Sequence, residues 1–143
     1  MRTCFSFLII LALALGSCRK KDTDDSMSLP NLMDPTAVDN GTLLATGTFV
    51  SGVHATSGTV KLYEKDGKRK LVFQNFQTDS GPDLYVYLSR NTSNDEFTSL
   101  GRLPGNGNFS VEVPLGVDTD RLSTVMIWCR QFAVHFGNAA LVK

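Results

Sequence analysis

The feature that most limits the fold is a two-residue apolar rhythm repeated in short runs. Val60 and Leu62 alternate with Lys61 and Tyr63, and Leu71 and Phe73 with Val72 and Gln74. Leu84, Val86 and Leu88 alternate with Tyr85 and Tyr87, and Phe109, Val111 and Val113 with Ser110 and Glu112. Successive side chains of a strand point to opposite faces, so this rhythm buries one face of each run. Between the first two runs, Asp66-Gly67 supplies the positive φ angles of a tight primed turn. Gly105-Asn106-Gly107-Asn108 predicts a second turn. No stretch beyond residue 41 sustains a 3.6-residue apolar period for three turns. The expected fold is all-β, a single β-sandwich or small barrel-like domain over residues 42–143.

The last runs need a register argument. Val125, Ile127 and Cys129 share one face under strict alternation. Phe132, Val134 and Phe136 share a face too, but an odd number of residues later. An irregularity at Arg130-Gln131, a bulge or a turn, is expected to bring both sets into the core. Cys129 then ends an inward-facing row. His135 points outward, and Trp128 lies on the face opposite Cys129.

The chain begins with a different signal. Arg2 precedes an uncharged, mostly apolar run of eleven residues, Phe5 to Leu15. That is too short to span a bilayer and suits a signal-peptide core. It ends in Leu15-Gly16-Ser17-Cys18, which resembles the lipobox of bacterial lipoproteins. Residues 1–17 read as the signal peptide and Cys18 as the lipidated cysteine. Two or more acyl chains hold a protein stably at a membrane, so the expected state is anchored rather than spanning. Residue 19 is Arg rather than Asp, so the inner-membrane retention signal is absent. The expected location is the bacterial cell envelope, at the outer membrane on its periplasmic or surface face. Residues 18–41 carry the lipidated cysteine and a polar tether with eight charges and two prolines. The run Arg19-Lys20-Lys21-Asp22-Thr23-Asp24-Asp25 is similar to surface-export signals but reads better as a solvated tether.

Charge and cysteine usage exclude several classes. Without residues 1–17, whose single charge is Arg2, 13 Lys/Arg stand against 14 Asp/Glu. No basic footprint for nucleic acid exists. Of the three cysteines, Cys4 leaves with the leader and Cys18 takes the lipid, so Cys129 stands alone. A disulfide framework within one chain is ruled out, and the apolar core must hold the domain. No phosphate loop or Ser/His/Asp constellation appears. Covalent haem is excluded because Cys-x-x-Cys-His does not occur.

Three stretches in series resemble the DM13 domain family. The first is Gly47-Thr48-Phe49 with His54 and Ser57-Gly58-Thr59-Val60. The second runs from Phe76 to Ser89 and includes Asp79-Ser80-Gly81-Pro82-Asp83-Leu84. The third runs from Val125 to Leu141 and includes Ile127-Trp128-Cys129-Arg130 and Phe136-Gly137-Asn138-Ala139. The resemblance implies an extracytoplasmic all-β domain with an electron-transfer or redox role. It also implies that Cys129 acts as a free thiol or as a ligand to a prosthetic group such as haem.

Cys129 therefore carries two readings. One is a redox thiol or ligand, served by a redox partner protein and assisted by His54 in one partly accessible site. An imidazole beside a thiol lowers its pKa or shares a bound ligand. The other is a small apolar core residue in a non-catalytic binding or adhesion module. Non-covalent haem through Cys129 or His54 stays open. A copper site from His54, His135, Cys129 and Met126 is the weaker expectation, because the close Cys-to-His spacing of blue-copper proteins is missing. Zinc has too few ligands. Asp83, after Gly81-Pro82, reads better as a turn residue than as a catalytic acid. For the anchor, Cys18→Ala is expected to abolish the acylated N-terminal peptide seen by mass spectrometry and to release the protein from the membrane fraction or leave it unprocessed; unchanged fractionation contradicts the lipidation.

Overall fold

The computed structural model describes residues 41–143; the leader, Cys18 and the tether up to residue 40 lie outside the described residues. No helix occurs among the described residues. The strands are β1 (Thr42–Thr48), β2 (Val50–Ser51), β3 (Thr56–Lys65), β4 (Lys68–Thr78), β5 (Leu84–Ser89), β6 (Phe97–Arg102), β7 (Gly107–Val113), β8 (Thr124–Cys129) and β9 (Val134–Ala140). They form two antiparallel sheets, β1-β3-β4-β7 and β2-β9-β8-β5-β6, stacked as an all-β sandwich.

Local chemistry accounts for the turns. At the β3–β4 hairpin Lys65 pairs with Lys68. The two residues between them, Asp66 and Gly67, have φ of 52° and 72°. Two positive φ angles make the primed turn that matches strand twist, as the Asp-Gly pair predicts. Farther along β4, Phe73 lies opposite Phe109 while Phe76 lies opposite Gly107, so the strand bulges between them. Asn75 takes up the bulge at φ 49°. Side chains of the Gly105–Asn108 turn replace the missing ladder bonds. Asn75 N donates to Asn108 Oδ1 at 2.7 Å, and Thr78 N donates to Asn106 Oδ1 at 3.0 Å.

The core fills the space between the sheets. Its centre is a cluster of four phenylalanines. Phe73 stacks on Phe109 at 4.4 Å between ring centroids, and Phe76 meets Phe49 edge-on at 4.9 Å. Val60, Leu62, Leu71, Val86, Leu88, Val125 and Ile127 extend it along both sheets. The chain crosses between sheets at Phe49, and Phe49 N donates to Gly58 O at 2.9 Å. Thr46 and Val142 exchange two backbone bonds, of 2.8 and 2.9 Å, tying β1 to the C-terminal end.

One expectation about the core is corrected. Phe132 was placed in the core row with Val134 and Phe136, yet it is 63% exposed. Residues 130–133 form the turn between β8 and β9, and the chain there lies beyond the last strand pair, Cys129 with Val134. With no disulfide to hold the described domain, its stability rests on the phenylalanine cluster. Phe73→Ala is expected to cost about 3–5 kcal/mol, read as a lower midpoint in urea; a loss below ~1 kcal/mol contradicts the central placing of that ring.

Candidate functional site

The site is built on a second bulge, in β9. Val125 faces Ala139 and Ile127 faces Gly137, but Trp128 then faces His135 and Cys129 faces Val134. Phe136 is the extra residue. Strict alternation from Gly137 would turn Phe136 and Val134 away from the core; the bulge returns both to it.

A bulge frees backbone carbonyls, and buried carbonyls must find donors. Residues 52–56 supply them. Gly52 N donates to Phe136 O at 2.7 Å, Val53 N to His135 O at 3.0 Å, and Thr56 Oγ1 to Phe136 O at 3.2 Å. The approach is close enough to require glycine on both sides. A Cβ on Gly52 would lie 2.6 Å from His135 O, and one on Gly137 would lie 2.5 Å from Thr56 Cβ.

This docking places His54. Its ring stacks on Phe136 with centroids 4.0 Å apart. Its Nδ1 lies 3.3 Å from Asp79 Oδ2, the same oxygen that accepts from Ala55 N at 3.3 Å. A carboxylate on one ring nitrogen orients the imidazole. Cavities of about 270 and 300 Å³ adjoin Asp79, and Thr78 and Asp79 line both. Arg102 and Asn106 complete the first; Ser51, Thr56 and Gln77 complete the second. The partner of His54 comes from 25 residues away. Sequence reading missed that pairing, although both residues lie in the family-like stretches.

Cys129 is the free cysteine of the described residues and is 0% exposed. It sits at the inner end of β8, between Leu84 on β5 and Val134 on β9, within the apolar core. The thiol is therefore not partly accessible as expected, and the polar contact of His54 goes to Asp79. The copper set is dispersed as well. Cys129 faces the core, whereas Met126 and His135 occupy outward positions of β8 and β9. Among the described residues no three His, Cys, Asp or Glu side chains gather closely enough to hold a metal ion. Haem ligation by Cys129 does not fit either, since a ligand sulfur must face the slot that receives the porphyrin and this one faces packed side chains. Asp83 is held as a turn residue. Its carboxylate pairs with Arg102 at 2.7 Å, and its backbone oxygen accepts from Arg130 N at 3.0 Å.

His135 carries a separate consequence. Burial pulls its pKa below the ordinary histidine value, opposed by a smaller backbone hydrogen bond at Gly137. Its Nε2 is buried with no hydrogen-bond partner among the described residues. As pH falls below about 6.5, the unfolded chain takes up this proton before the folded domain does. The stability present above that pH is therefore lost as pH falls toward the folded-state pKa. In urea unfolding at pH 7.5 and pH 5, His135→Gln is expected to lose less stability than the unaltered protein; an identical loss contradicts the assignment.

No curated protein and no solved structure matches the chain. A family model described as "Electron transfer DM13" matches residues 48–141. That span runs from the end of β1 through β9 and takes in His54, Asp79, Cys129 and Phe136. The chain therefore belongs to the DM13 electron-transfer family.

Proposed function

We propose that this protein is a lipid-anchored, extracytoplasmic domain of the bacterial cell envelope that serves an electron-transfer or redox system. The family match over residues 48–141 carries the reading. The lipobox-like Leu15-Gly16-Ser17-Cys18 supports the anchor, and the acyl chains on Cys18 are its link to the outer membrane. The redox partner is a protein, for which a tethered domain is well placed.

Cys129 is the residue proposed as the redox centre. Its burial limits how it could act. A thiolate is the reactive form, and a thiol sealed in apolar packing is inert. A role for Cys129 therefore requires the β8–β9 hairpin to open and expose the sulfur. The burial favours a second reading, a non-catalytic binding module in which Cys129 is packing.

Thiol chemistry separates the two. Protein purified from its host is treated with a thiol reagent, folded and in denaturant, and its visible absorption is recorded before and after Cys129→Ser. A redox centre is expected to give reaction in the folded state, at a rate above that of global unfolding, or absorption lost with Cys129→Ser. Reaction only after unfolding, with no visible absorption, leaves Cys129 as a core residue and the binding module as the function.

A further inference from the structure

The outward face of the five-stranded sheet is unlike that of its partner. Alternation places Tyr85 and Tyr87 on β5, and Met126 and Trp128 on β8, on the solvent side. Arg102 and Phe97 on β6 stand opposite Tyr85 and Ser89. These side chains form a second apolar layer. Met126 is 0% exposed and Tyr87 4%, whereas Phe97 at the sheet edge is 41% exposed. Tyr87 stacks on Phe97 at 4.3 Å, and the Arg130 guanidinium lies 4.4 Å over the Tyr85 ring. Burial pushes the Tyr87 phenol upward, and the positive charge of Arg130 partly opposes it.

Charge on this face is sparse. The five strands β2, β5, β6, β8 and β9 contain no Asp or Glu. Arg102 and Arg130 rise beside the aromatic row; the Asp83 carboxylate pairs with Arg102 at 2.7 Å, which leaves Arg130, over the Tyr85 ring, as the charge with no ion pair among the described residues. The other sheet carries Lys61, Glu64, Lys70 and Glu112, a mixed set. Trp, Tyr, Met and Arg are the residues enriched at protein interfaces, and Trp, Tyr and Arg dominate their binding energy.

We infer that this face docks an acidic surface of a partner protein, with Trp128, Tyr85 and Phe97 as the apolar centre and Arg130 as the charge that meets it. The redox character of that partner rests on the electron-transfer reading above; the docking itself does not.

The test uses the full chain and two carriers of opposite charge as probes: flavodoxin, which is acidic, and cytochrome c, which is basic. Binding is measured by titration calorimetry at low and at physiological salt. Flavodoxin is expected to bind, more weakly as salt rises, and Trp128→Ala and Arg130→Glu are each expected to weaken it about tenfold or more. Lys61→Glu, an equal charge change on the opposite sheet, is expected to leave binding unchanged; circular dichroism verifies that each variant is folded. Preference for cytochrome c, equal losses from Lys61→Glu and Arg130→Glu, no binding of flavodoxin, or self-association through Trp128 overturns the proposal. Electron exchange is followed separately by flavin absorbance. Binding without exchange keeps the docking face and removes the electron-transfer reading; exchange without Arg130-dependent binding does the reverse.

Discussion

The bulge at Phe136 organises the end of the sandwich where the candidate site lies. One extra residue in β9 restores Val134 and Phe136 to the core and frees the carbonyls of His135 and Phe136. Left buried without a donor, each such group costs about 1–3 kcal/mol. The segment 52–56 meets that demand through Gly52, Val53 and Thr56. The same docking brings His54 onto Phe136 and within reach of Asp79. The position of the histidine is thus a consequence of backbone hydrogen bonding.

The five-stranded sheet separates two kinds of chemistry. Cys129 points inward, where Leu84 and Val134 close over it. One residue earlier Trp128 points outward, into the layer with Tyr85 and Arg130. Groups on opposite faces of a sheet have a backbone layer between them, so Cys129 and Met126 cannot share a ligand. Both faces of β5 are apolar for the same reason: Leu84, Val86 and Leu88 serve the core, and Tyr85 and Tyr87 serve the outer layer. A redox reading of this domain must therefore place either an opening at the β8–β9 hairpin or a partner at the aromatic face.

Much of the scaffold was legible in the residues. Asp66-Gly67 foretold its turn because positive φ is a local property that those two residues tolerate. The period-two runs foretold β3, β4, β5 and β7, and Cys129 was rightly placed at the end of an inward row. The error came where the period changed. The irregularity was expected at Arg130-Gln131, and a turn does lie there, but it carries Phe132 out to solvent. A second irregularity, five residues farther on at Phe136, left no mark in the apolar pattern. The same holds at Asn75, whose positive φ depends on side chains of Asn106 and Asn108 across the sheet.

Read alone, the sequence determined what is local: strand periodicity, turn chemistry, and the order of motifs that marks the family. The tertiary structure decided which groups meet. His54 and Asp79 are 25 residues apart and join because a bulge in a third segment draws one loop inward. Cys129 and His54 looked like partners by chemistry, but strand direction and core packing keep the thiol sealed. Strand pairing fixes positions through contacts distant in the chain, and residue spacing holds no record of them.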